Sequence, residues 1–471
     1  MSENWSPQKI IKKFQKSKLQ QKEAVDLLIS LIDNSNNPQV REESIQMLGQ
    51  IGLKNDGTFH LLENLLLSDE SQEVRAVAVE SILTLFPQRA IKPLKWLIDH
   101  EEYIKVLLKV FWIIVNRSEP QFEILYEKFF EIFGDMKEKY KADNLNSHEA
   151  LVIEILDKIG AVQIDNSHIR SLNLSGLHIN ELPDFFDKLS KLKTLVLVKS
   201  KFTEIPDSFS LLHNLEELII THGQIQKIPS AIGQMKSLKY INLADNKIQI
   251  LPEDFDKLAS LQCIDLRNND ILKLPILLCH LNHLHSVDLS GNDIEEIPEE
   301  LCEHPKLMDL NLRGNNIEEL PDSIGDFKHL MRLNLGKNMI SELPETLGKL
   351  KSMERLDLSK NIISELPETI GNLQRLEFLD LNGNKLTELP QSTAKLKSLK
   401  FLYLENNQLR EIPESLLELK SLENLDLRNN SITEFPEKLT KLRSLRVFTY
   451  DSKKIKYIPI KVQHFIDSLR E

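Results

Sequence analysis

Leu356-Asp357-Leu358-Ser359-Lys360-Asn361-Ile362-Ile363-Ser364-Glu365-Leu366-Pro367 is one copy of a pattern that organises most of this 471-residue chain. Its asparagine returns every 23 residues, at 246, 269, 292, 315, 338, 361, 384, 407 and 430. Its proline comes six residues later and forms a longer series, at 183, 206, 229, 252, 275, 298, 321, 344, 367, 390, 413, 436 and 459. Thirteen prolines in one register, without insertion or deletion, define a solenoid before any single element is assigned.

The unit can be read residue by residue. It begins at Met353, a position held by Leu in most other units. Leu356-Asp357-Leu358 alternates apolar and polar, which predicts a short strand with leucine inward. Neighbouring units pair these strands in parallel, about 4.8 Å apart, so thirteen units make an arc on the order of 60 Å. Asn361 follows, where the chain turns inward. Its amide can donate and accept, so it can satisfy backbone groups that a buried turn leaves open. Stacked copies form a ladder. Pro367 fixes φ and lacks an N–H, which suits the start of the convex segment. An acid usually follows, at Asp184, Asp207, Glu253, Glu299, Asp322, Glu345, Glu368, Glu414 and Glu437. Negative charge there favours a short helical turn. The ladder fails at both ends, where Leu177, Ser200, Gly223 and Lys453 replace asparagine, as terminal units commonly do. Val462, Phe465, Ile466 and Leu469 predict a capping helix over residues 460–471.

The pattern L-x-x-L-x-L-x-x-N-x-[IL]-x-x-[IL]-P-x-x-[ILF]-x-x-L resembles the leucine-rich repeat superfamily over roughly residues 165–460. The Leu-Pro step and the 23-residue unit look most like the intracellular Ras-group type, the Ras-suppressor and related scaffolds. The resemblance implies an α/β horseshoe with a parallel concave sheet and short convex turns, spanning residues 161–459. It also implies a protein-binding scaffold, with a small GTPase or another signalling protein as the partner class.

Composition narrows the alternatives. The net charge is −12, with a pI near 5.7, which argues against general nucleic-acid binding and against attraction to anionic lipid. No apolar run approaches a membrane span, and the N-terminus lacks the pattern of a signal peptide. Secreted leucine-rich repeat proteins typically carry cysteine-rich caps. Here the 3 cysteines are sparse and none flanks the array, so a cytoplasmic protein is expected.

Residues 1–160 show helical spacing with short polar breaks. Two segments repeat at an offset of 34: Leu28, Val40, Arg41, Ile45 and Leu48 correspond to Leu62, Val74, Arg75, Val79 and Ile82. A degenerate third copy starts near Ala90, and helices are expected around 121–133 and 147–159, with a polar loop over 137–147. Pro38-Gln39-Val40-Arg41 and Gln72-Glu73-Val74-Arg75 resemble HEAT repeats, in which the arginine ties adjacent repeats together. Such a module is not part of the Ras-group pattern and implies a second binding surface. A helical stack against the array would also cover its exposed first strand.

Strand positions that face away from the core form two columns. One contains Arg332, Arg355, Phe378 and Phe401; the next contains Asp357, Asp380 and Tyr403. Exposed aromatics and arginines in consecutive units predict contact with a protein partner, because such surface is costly uncovered and these residue types anchor interfaces. Cross-strand stacking that merely stiffens the sheet is the competing reading. The Asp/Asn run of the second column reads as solvated, with inter-strand hydrogen bonds. Val196, Ile219 and Tyr240 form a weaker patch toward the N-terminal module, with Tyr240 also a candidate contact residue.

Cys279, His280, His283, Cys302 and His304 gather zinc-type ligands within two units, but at no established spacing. His304 occupies a Leu/Met/Phe column and precedes Pro305, which points to a local distortion around a hydrogen-bonded histidine. A metal-dependent or enzymatic regulator using Cys279, His280, Cys302 and His304 is the alternative function; a self-associating structural protein is another. No G-x-x-x-x-G-K-[ST] loop, Gly-x-Ser-x-Gly elbow or paired-histidine motif occurs. Cys263-Ile264-Asp265 imitates the C-x-D of bacterial leucine-rich ubiquitin ligases, but there the motif belongs to a separate helical domain. The sequence therefore predicts a monomeric, non-enzymatic scaffold without a cofactor.

Overall fold

The computed structural model describes residues 5–101, 103–117, 119–133, 145, 147–158, 160–165, 168–176, 188–200 and 202–469. Leu177, Pro183, Asp184 and most of the polar segment 137–147 lie outside them. The chain divides into two compact units. One comprises Met1–Leu177 with Glu181–Leu192, the other His178–Asn180 with Lys193–Glu471.

The first unit contains α1 (Pro7–Gln15), α2 (Gln21–Asn34), α3 (Pro38–Ile51), α4 (Asp56–Ser68), α5 (Gln72–Leu85), α6 (Ile91–His100), α7 (Ile104–Arg117), α8 (Glu123–Phe133) and α9 (Ser147–Lys158). Their starts are encoded locally. Asn37 accepts from the Gln39 N–H before Pro38 opens α3, Asn55 caps α4 and Ser71 caps α5. Gly52 ends α3 at φ 75°, a conformation open to glycine at little cost. The 34-residue offset emerges as stacked helix pairs with Leu28, Ile45, Leu48, Leu62, Val79 and Ile82 buried. The two arginines do what the HEAT resemblance implies. Arg41 grips both oxygens of Asp69 at 3.0 and 2.8 Å, and Arg75 grips Glu101 at 2.8 and 2.9 Å. Each therefore ties its own helix to the loop after the next helix pair member, α4 or α6.

This unit does not stop at residue 160. An antiparallel hairpin, β1 (Val162–Asp165) and β2 (His168–Asn173), follows α9. Lys188 then binds the Glu149 carboxylate of α9 at 2.7 and 2.9 Å.

In the second unit, twelve parallel three-residue strands run from Thr194–Val196 to Val447–Thr449. They pair without slippage: Arg332, Arg355, Phe378 and Phe401 stand in one row. The central leucines Leu333, Leu356, Leu379, Leu402 and Leu425 are at most 1% exposed. Burial of one such side chain is worth about 1.5–3 kcal/mol.

The asparagine ladder forms as expected. Asn361 Oδ1 accepts the Ile340 N–H at 3.0 Å, while its Nδ2 donates to Leu335 and Leu358 carbonyls, both at 3.0 Å. The same bonds recur from Asn246 to Asn430. The residue before each asparagine is left-handed, as at Lys360 (φ 56°) and Gly383 (φ 69°), which aims the amide inward.

The convex side is built of 3-10 turns. Pro367 is the cap, extended at φ −64° and ψ 146°, and Glu368–Asn372 is the turn. Gly371 is required there, because a Cβ would lie 2.3 Å from the Ser392 carbonyl of the next turn. These turns are bulkier than the strands, so the sheet takes the concave side. At the C-terminal end, helix Ile460–Ser468 buries Val462 and Ile466; Phe465 and Leu469 stay half-exposed. Among the described residues, no helix is long and apolar enough to cross a membrane.

Candidate functional site

The concave face is made by the residues either side of each buried leucine. Register places Arg355 beside Phe378, Phe378 beside Phe401, and Asp380 beside Tyr403. The Arg355 guanidinium lies 4.0 Å from the Phe378 ring centre. Phe378 in turn stands 5.5 Å from Tyr403 and 6.4 Å from Phe401, tilted in both cases. An exposed cation–π contact is worth about 0.5–1 kcal/mol, and an aromatic pair a similar amount. The rings were expected to be exposed. They are half-buried, because each covers part of the next, while Arg355 is exposed.

Arg332 does not join this cluster. Its Nε and Nη2 both donate to Asp309 Oδ2, at 3.0 and 2.9 Å. A carboxylate one unit back attracts it, whereas Arg355 one unit forward repels it. Tyr240 lies six units before Phe378 and is likewise separate; its hydroxyl accepts from Asn242 Nδ2 at 3.2 Å.

The Asp/Asn column works differently from expectation. Its oxygens mostly accept the N–H two residues on, within their own unit. Asp357 bonds the Ser359 N–H and Asp380 the Asn382 N–H, both at 2.9 Å. The column thus fixes the turn that leads into the asparagine ladder. Asn311 also donates across to Asp288, at 3.0 Å. Burial, with Asp357 nearby, pushes the Asp380 carboxyl up to about 6. Arg313 holds the Asp357 carboxylate at 3.2 Å.

The cysteine–histidine group does not converge on a point. Buried His304 accepts the Lys306 and Leu307 N–H groups at Nδ1, 3.2 and 3.0 Å away. Its proton therefore sits on Nε2, which donates to the Leu281 carbonyl at 3.2 Å. Burial depresses its pKa, so it stays neutral with both nitrogens occupied. This is the local distortion read from Pro305: the 3-10 turn becomes an α turn at Glu299–Cys302. His280 faces Asp256 instead, at 3.8 Å. Burial pushes the Cys279 and Cys302 thiols up to about 11, far from nucleophilic thiolates. Among the described residues, no group of three or more His, Cys, Asp or Glu side chains is placed to hold a metal ion.

Comparison with known proteins agrees with this architecture. A leucine-rich repeat region family matches residues 276–362 and 355–470, and a leucine rich repeat family matches residues 213–271. HEAT repeats match residues 9–83. No curated protein matches the chain significantly. Among solved structures, a leucine-rich repeat protein of Leptospira interrogans is 28% identical, with a TM-score of 0.55 over 64% of this chain and 82% of that one. An internalin of Listeria monocytogenes is 19% identical, with a TM-score of 0.54 over 70% of this chain and 97% of its own; that likeness is one of fold alone. The chain belongs to the leucine-rich repeat superfamily and carries an N-terminal helical repeat module of HEAT type.

Proposed function

We propose that the chain is a non-enzymatic, cytoplasmic scaffold that holds a protein partner against its concave sheet. Arg355, Phe378, Phe401 and Tyr403 form the centre of contact, with Arg332, Asp357, Asp380 and Tyr240 along the same face. The observation that carries this reading is the ring cluster. Three half-buried aromatic rings and an exposed guanidinium occupy a face that is otherwise largely polar. Aromatic and arginine side chains of this kind act as interface anchors once a partner excludes water from them. Leucine-rich repeat arrays commonly act as protein-binding scaffolds. The partner class is a small GTPase or a regulator of one, on the strength of the Leu-Pro step and the 23-residue unit. The mechanism is geometric: a rigid curved sheet fixes the orientation of what it binds.

The test is direct binding of the full chain to a recombinant Ras-type GTPase, loaded with GDP or with a non-hydrolysable GTP analogue. Wild type is compared with an Arg355→Glu, Phe401→Ala double variant of equal thermal midpoint. Nucleotide-dependent binding that weakens at least about tenfold in the variant supports the proposal. Equal binding by the variant moves the site off this patch. If no GTPase binds, that partner class is removed. The scaffold reading then rests on whether lysate partners of the wild type are lost by the variant.

A further inference from the structure

Two neighbouring columns of the array change character over the same units. The first column precedes each strand. At its start it is a chain of ion pairs: Lys193 and Lys239 both bind Glu216, at 2.7 Å each. Toward its end the pairing resumes, with Lys400 on Glu377 at 3.0 Å and Arg446 on Glu423 at 3.6 Å. Between these, Gln262, His285, Met308 and Met331 interrupt the charges, which return at Glu354.

The second column lies two residues earlier in each unit. Serine is its commonest residue, with a hydroxyl that donates to the preceding unit's carbonyl, as Ser398 does to Gln374 (2.7 Å) and Ser421 to Lys397 (2.6 Å). Over the same stretch it becomes His283, Lys306 and His329, and then Arg375 two units on. His283 keeps the serine's contact, with Nδ1 3.1 Å from the Ala259 carbonyl.

The joint change opens a groove of about 680 Å³ along the edge where the chain enters its strands. Met308, 38% exposed, and Met331 give it an apolar surface; Lys306 and Arg375 give it positive charge, and His283, His285 and His329 add polar ring nitrogens. No carboxylate lines it, although the chain carries a net charge of −12. Of the acids beside it, Asp309 is engaged by Arg332 and Glu377 by Lys400, while Glu354 follows Met331 in the first column. Among the described residues, Lys306, His329 and Arg375 make no side-chain hydrogen bond or ion pair.

We propose that this groove is a second contact surface, separate from the concave cluster, which takes an extended acidic segment of a partner protein bearing an apolar side chain. Its length favours a segment over a single anion. Lys306 and Arg375 are three units apart, roughly 15 Å at strand spacing. Cations so spread do not converge on one phosphate; they match carboxylates distributed along about four or five extended residues. The methionines adapt to the apolar side chain between them.

The test pans a randomised dodecapeptide display library against the full chain. Acid-rich peptides carrying a large apolar residue are expected to enrich. Lys306→Glu with Arg375→Glu, both at exposed positions, should weaken the selected peptides at least about tenfold without changing the thermal midpoint. Phe401→Ala should leave their affinity unchanged, which separates this surface from the concave patch. Inorganic phosphate should compete no better than sodium chloride at matched ionic strength. The proposal is overturned if no acidic peptide enriches, if the charge-reversed variant binds equally, or if phosphate competes specifically.

Discussion

Replacing Asn361 by alanine removes four hydrogen bonds while leaving the surrounding backbone in place; the longest, Nδ2 to the Ser359 carbonyl at 3.4 Å, goes to an oxygen that keeps the Lys337 N–H at 2.7 Å. The other three partners are not equally harmed. The Leu335 carbonyl also accepts from Asn338 Nδ2 at 2.9 Å, and the Leu358 carbonyl also accepts from Asn384 Nδ2 at 3.0 Å. Each therefore loses one of two bonds, at about 0.5–1 kcal/mol. The Ile340 N–H has Asn361 Oδ1 as its acceptor and is left open in a buried turn, at about 1–3 kcal/mol. The sum is about 2–5 kcal/mol, large for a change that removes no core methyl group. Urea unfolding followed by circular dichroism measures the total, and hydrogen exchange at the Ile340 amide isolates the orphaned donor. Glu365→Ala, an exposed change in the same unit, serves as control and should stay within about 0.5 kcal/mol. A loss below about 1 kcal/mol for Asn361→Ala, with Ile340 protection unchanged, would refute the reasoning.

Two further outcomes follow from electrostatics. The Asp380 carboxyl, pushed up to about 6, binds its proton more tightly in the folded chain than the ordinary carboxyl of about 3.9 does in the unfolded one. Stability from this group is thus present below about pH 4 and lost as pH rises through 6. Asp380→Asn keeps the acceptor for the Asn382 N–H, so it should exceed wild type by about 1 kcal/mol at pH 7, with the gain shrinking toward pH 4; thermal midpoints across that range decide it. In the helical unit, Arg75→Ala strands Glu101, whose side chain is 4% exposed, and should cost about 3–5 kcal/mol by urea unfolding; a loss under about 1 kcal/mol would show that the pair is not a structural tie.

Most of the fold could be read because its determinants repeat. One asparagine in a buried turn is ambiguous; nine at a fixed period leave a single arrangement in which each bridges two units. The same holds for Arg41 and Arg75, where two copies of one phrase bind two carboxylates alike. What escaped reading depends on choices between neighbours. Arg332 could have turned toward Arg355 or Asp309, and only placement of both shows that opposite charge decides it. The second-column acids read as solvated and bonded to neighbouring strands, yet an Asx bond two residues along is shorter in reach and competes better. Hairpin β1–β2 has only one buried residue in its first strand, Val162, so no alternation announces it. The edge groove escaped because no single residue type marks it; two columns change together over the same units.

The shared acceptors of the asparagine ladder have a consequence for how the array comes apart. Because each carbonyl serves amides from two successive units, an internal unit cannot melt without stripping bonds from both neighbours. Opening the middle creates two broken boundaries; opening an end creates one. Nearest-neighbour coupling of this kind makes the array cooperative over many units and directs unfolding inward from its termini. Helix Ile460–Ser468, packed on the turn Glu437–Lys441 with Val462 and Ile466 buried, covers one of those boundaries.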